Sequence, residues 1–217
     1  MSKMPRFLPF LLTAGAAAGI VGGIAPWISH PAAGLTIGGF YLFEAIKFLP
    51  AVRSGAVSLF REAYLLPLLI SAVLLSLFSV LLDSPYRTAR WLCPGLAALI
   101  GLAALPPYPA VLTAFGDPEY RGQLLLSATA SFLALLSPLA SRLPVQVIAA
   151  MGSGLAALGL IPGLAQFARV RSLFAELYGA QIGVGWGLVV CVLSLGLIFL
   201  GGVCWLALRP RLAGRTA

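Results

Sequence analysis

Charge is scarce in this chain, and acid is the scarcest part of it. Of 217 residues six are Asp or Glu, fourteen are Lys or Arg and one is His. Soluble domains carry about a quarter charged residues, whereas here the share is 9%, with 60% hydrophobic residues and a mean hydropathy of +1.02. That excludes an ordinary soluble domain and indicates an integral membrane protein. A single histidine, His30, excludes a bis-histidine haem and a His-rich metal site, and it leaves a Ser-His-Asp relay only one candidate base. His30 precedes Pro31 and reads as an interfacial loop residue. The three cysteines, Cys93, Cys191 and Cys204, have no ligand spacing and lie in apolar runs, so they read as small hydrophobes. None of GxSxG, HExxH, GxxxxGK[ST] or GxGxxG occurs, and nothing points to an enzyme. Lysine is nearly missing too, two against twelve arginines, as in a protein from a GC-rich bacterial genome and hence of the cytoplasmic membrane. The net charge of +8 would suggest nucleic acid in a soluble protein. Here the cations stand singly or in pairs between apolar blocks, as loop and headgroup residues do.

What is present is apolar sequence in long blocks. About twenty apolar residues span the hydrocarbon core, and cutting at charges and Pro/Gly clusters leaves blocks at 7–28, 34–52, 64–82, 91–115, 122–140, 144–167 and 179–207. The expected fold is all-α and polytopic, with about seven transmembrane helices in one membrane domain. The first block is too long for a signal-peptide core and reads as a retained helix. With the N-terminus cytoplasmic, Lys3, Arg6, Arg53, Arg61, Arg121, Arg169 and Arg171 fall inside and Arg87, Arg90 and Arg142 outside. Arg209, Arg211 and Arg215 then fall on the wrong side after a seventh crossing, so either one block is not a simple span or the tail is an exception.

The fourth block contains ALPPYPAVLTAFGDPEYRG, residues 104–122. Pro106, Pro107 and Pro109 remove backbone donors and force the preceding residues out of the α region. The fourth helix is therefore expected to be discontinuous, or to end in a loop there. A break at membrane depth needs protein or a wet cavity to satisfy its free backbone groups. Thr113 beyond the prolines, and Ser127, Thr129 and Ser131 in the fifth block, are the candidate ion- or solute-binding hydroxyls. Close packing of helices is the alternative use for small hydroxyl residues. Glu44 and Lys47 share a face at i, i+3 and are expected to form an intramembrane charge pair.

The order of these features resembles the bile acid:sodium symporter superfamily, with its related arsenite carriers. The motifs are GIVGGIAP, GGFYLFEAIKFLPAVRSG, GDPEYRGQLLLSATASFLALLSPL and PVQVIAAMGSGLAALGLIPGLAQFARVR, over roughly residues 12–171. The resemblance implies panel-like helices at 7–52 and 144–207 around core-like helices at 64–140. It implies alternating-access, sodium-coupled transport of a small organic solute or anion, with no cofactor beyond the sodium ion. Seven blocks stand where the family has about ten helices, so a homodimer or a second membrane subunit would complete the core. Two other expectations stay open: a non-transporting subunit or assembly factor of a larger complex, and a small membrane enzyme acting on lipid.

Overall fold

The computed structural model describes residues 7–82 and 86–213. The chain is built from helices α1 (Phe7–Ile24), α2 (Gly39–Ala45), α3 (Pro50–Arg53), α4 (Leu66–Ser79), α5 (Arg87–Ala103), α6 (Ala110–Thr113), α7 (Pro118–Leu136), α8 (Val145–Tyr178) and α9 (Trp186–Ala213). Short strands β1 (Pro26–Ser29), β2 (Ile37–Gly38) and β3 (Gly183–Val184) form one antiparallel sheet in the order β2-β1-β3. Four helical stretches, Phe7–Ile24, Pro118–Arg142, Val145–Tyr178 and Trp186–Ala207, are long and apolar enough to cross a membrane. The outward surface is apolar as well: Phe10, Leu99, Phe132, Ile161 and Leu197 are all exposed. In water such a surface would be a large aggregation-prone patch, and in lipid it is the expected one. The chain is an all-α membrane protein.

Helix α4 is the axis of the bundle. Its sequence LPLLISAVLLSLFS is apolar on every side, as suits either a protein core or lipid, and here all of its residues are buried in the bundle. Around it pack α1, α5, α7 and α8, while α9 closes against α1 and α8. Neighbouring pairs fix the directions. Gly15 faces Ile198 and Gly22 faces Cys191, so α1 and α9 are antiparallel; Gly152 faces Phe78 and Gly163 faces Ala63, so α8 and α4 are too. Side chains at 127 and 131 of α7 reach carbonyls at 104 and 98 of α5, which makes that pair antiparallel. The long helices thus alternate, and α1 begins at the end where α9 finishes. Gly22 shows how close these helices come: a Cβ there would stand 2.6 Å from the Cys191 backbone nitrogen.

At the other end of the bundle sits a small cap. Trp27 and Ile28 of β1, Phe43 of α2, Tyr64, and Phe167 and Phe174 of α8 are buried together. Trp27 meets Tyr64 and Phe167 edge-on at 6.0 and 5.9 Å, and its Nε1 donates to the Gly22 carbonyl at 2.9 Å. The 34 residues of α8 rise about 51 Å, well beyond a hydrocarbon core of about 30 Å, so its last turns belong to the cap.

The expected second crossing, 34–52, is not a continuous helix. It divides into a 3-10 turn (Ala33–Leu35), β2, the seven residues of α2, a second 3-10 turn (Ile46–Phe48) and the single turn of α3. Leu49, ahead of Pro50, is extended with ψ 129, as the proline requires. The fourth block differs as well: α5 ends at Ala103 and α6 is one turn of four residues, so Pro106, Pro107 and Pro109 lie in a connection at the cap end. Pro94 is the proline inside α5. The panel and core groups share α4, which packs on α1 and α8 as well as on α5 and α7.

These corrections move the charges. Lys47, Arg53, Arg61, Arg121, Arg169 and Arg171 all belong to the cap end, and so do Glu44, Glu62, Asp117, Glu119 and Glu176. Arg87, Arg90, Arg142, Arg209 and Arg211 belong to the far end, with no acid there among the described residues. Lys3, Arg6, Arg215 and the close of LLDSP at 83–85 lie outside the described residues.

Candidate functional site

The four hydroxyl residues do not converge. Thr113 and Thr129 are exposed on the outside of the bundle. Ser127 and Ser131 are buried, but their hydroxyls are used by backbone: Ser127 Oγ donates to the Ala104 carbonyl at 3.0 Å, and Ser131 Oγ lies 3.2 Å from the Ala98 carbonyl and 3.0 Å from that of Ser127. Gln123 Nε2, which the sequence reading passed over, donates to the same Ala104 carbonyl at 2.9 Å. Gln123 and Ser127 thus satisfy the Ala104 carbonyl just past the end of α5, whereas Ser131 bonds carbonyls inside α5 and α7, and Gly101 lets it come close. Ser76 of α4 plays a similar part, donating to the Ala134 carbonyl at 2.8 Å and meeting the Ser137 hydroxyl.

Glu44 and Lys47 do pair, with Lys47 Nζ 2.5 Å from a Glu44 carboxylate oxygen, but they do so in the cap. A third member comes from far along the chain: Glu119, in the first turn of α7, accepts from Lys47 Nζ at 3.0 Å. Asp117 caps that turn by accepting from the Glu119 amide at 2.8 Å, and Arg61 donates to the Glu119 carbonyl at 3.0 Å. Burial disfavours the charged ammonium, yet hydrogen bonds to Glu44 and Glu119 and their negative charge outweigh it, and the Lys47 pKa rises to about 12. The group latches the cap to α7. A second latch holds the cap to α8, where Gln166 accepts from the Phe60 amide at 2.7 Å and donates to the Phe60 carbonyl at 3.2 Å.

Between α7 and α8 the wall of the bundle is open. Both helices pack on α4 but scarcely meet each other, and the gap is a lateral groove of about 510 Å³. Val73 and Leu77 of α4 form its floor; Leu133, Leu136 and Leu139 line one side, and Met151 and Leu155 the other. The one polar side chain in the lining, Ser137, is held by Ser76. The groove lies toward the far end, where Arg142 closes the turn Ser137–Arg142. Sequence pattern gave no signal for it, because a groove depends on how far two helices diverge.

No group of three or more His, Cys, Asp or Glu able to hold a metal ion occurs among the described residues. No protein-family model, curated protein or solved structure matches the chain. The resemblance to the symporter superfamily is therefore carried by the quoted motifs alone.

Proposed function

We propose that the chain is a non-catalytic lipid-binding protein of a bacterial cytoplasmic membrane, holding an acyl chain in the groove between α7 and α8. In this reading α1, α4, α5, α7, α8 and α9 all cross the bilayer. The far end faces the cytoplasm and the cap faces outward, because Lys3 and Arg6 precede α1 in sequence and Arg215 follows α9, and with these the Lys and Arg at the far-end side outnumber those of the cap. The observation that carries the reading is the groove, an apolar cleft floored by α4 and lined mostly by bulky aliphatic residues. A partner helix would be received by small residues that let backbones approach, whereas this lining is mostly Leu, Val and Met, with Ser137 and Ala140 its two small residues. An acyl chain is flexible and apolar enough to fill it.

Native mass spectrometry of the protein released from mild detergent tests this. The wild type is expected to retain one phospholipid more than Ala140→Trp, whose indole fills the groove. Equal retention by both forms would end the proposal.

One observation favours a second reading, the membrane subunit of a larger assembly. The exposed face of α8 carries Ala150 and Gly154, and a Cβ at Gly154 would meet nothing. Light scattering that finds a dimer or hetero-complex, dissociated by Gly154→Leu, would support it. Sodium-coupled transport needs the four hydroxyls to share a space, which requires a conformation different from this one.

A further inference from the structure

We infer that the far end of α5 holds a binding site for a phosphate oxyanion, supplied by the headgroup of an anionic phospholipid. The site is a cavity of about 360 Å³ where the first turn of α5, the end of α4 and the turn Ser137–Arg142 meet, lined by Val80, Arg87, Arg90, Trp91, Pro138 and Ser141. It is distinct from the groove: Pro138 and Ser141 line this cavity, whereas Ser137, Leu139, Ala140 and Leu143 line the groove.

Charge is the first argument. Arg87 and Arg90, one turn apart on the same helix face, line one cavity, and no acid is among its lining residues within the described part of the chain. Two guanidinium groups at such spacing repel each other, and an oxyanion between them turns that repulsion into attraction. Arg is also the side chain whose planar fork matches phosphate oxygens in pairs. Ser141 contributes little, because its hydroxyl donates to the Pro138 carbonyl at 2.7 Å.

Depth is the second argument, and it selects a lipid over free phosphate. Trp91, next to the arginines, is 70% exposed, and Tyr86 just before them is 48% exposed. Aromatic rings of this kind sit at headgroup level. From there toward the bilayer centre, Leu92, Leu96 and Leu99 form an exposed stripe along α5. A phosphate in the cavity would lay its acyl chains on that stripe.

The test measures binding of phosphatidylglycerol, phosphatidylcholine and inorganic phosphate to delipidated protein in neutral detergent, by native mass spectrometry and thermal unfolding. Phosphatidylglycerol is expected to bind at least tenfold tighter than phosphatidylcholine. Arg87→Gln with Arg90→Gln should remove that preference, and Arg53→Gln at the cap end should leave it intact. Arg87→Lys with Arg90→Lys, which keeps the charge, should retain part of it and shows that the variants fold. Millimolar inorganic phosphate that displaces the lipid would support the oxyanion site but overturn the role of the stripe. Equal binding of both lipids, or a preference that survives the double Gln variant, would overturn the site. Ala140→Trp separates the two proposals, since it empties the groove without changing headgroup preference.

Discussion

Lys47 is the residue on which sequence and structure agree most and differ most usefully. Its i, i+3 spacing to Glu44 made the pair visible, but Glu119 lies 72 positions away and no local pattern could reveal it. The latch is part-exposed, so Lys47→Met is expected to cost no more than about 1 kcal/mol, read as a small fall in unfolding temperature. Because the folded pKa of about 12 lies above the free value of 10.5, the latch contributes fully below about pH 10.5. It weakens as pH rises through 12. Unfolding temperature followed from pH 9 to 12 should show the wild type losing its advantage over Lys47→Met across that window. The hydroxyls teach a second lesson at this scale. Ser127 and Ser131 were legible as sharing a helix face, but the Ala104 carbonyl that Ser127 serves together with Gln123 depends on where α5 stops. Trp27, fully buried between Tyr64 and Phe167, anchors the cap, and Trp27→Ala is expected to cost about 3–5 kcal/mol. Hydrogen exchange should then rise in β1, α2 and the end of α8 before it rises in α4.

Among the elements, α4 was the most legible as an apolar helix within block 64–82, though not as the axis of the bundle, because a run without a polar face suits lipid as well as a core. Block 34–52 was the least. Its length and hydropathy suit a span, but Gly38–Gly39, the Leu49–Pro50 step and the two charges each interrupt a helix or resist lipid, and together they prevailed. Cysteine labelling from one side of intact vesicles decides this directly. Gly34→Cys and Ser54→Cys should react from the same side, whereas a crossing at 34–52 would put them on opposite sides. The prolines after α5 were correctly read as helix breakers. Their depth was not readable, because α5 starts at Arg87 rather than Trp91, and so the break comes out at the cap end.

For the whole molecule, the six proposed crossings would return the arginine tail to the side on which the chain starts, which seven crossings could not. Helices α1, α4, α5, α7, α8 and α9 alternate in direction, leaving a far end with arginines and no described acid and a cap end where acids nearly match cations. The same arrangement puts α4 at the centre and opens it to lipid at one place, between α7 and α8. The central claim is that this opening holds an acyl chain. The most direct measurement is labelling of the membrane-embedded protein by a phospholipid with a photoreactive diazirine in its acyl chain, mapped peptide by peptide. Label enriched several-fold at Leu136, Leu139 and Met151 over the outward Leu158 and Leu197, and lost from the groove in Ala140→Trp, is the expected result. Label spread evenly around the bundle would contradict the account.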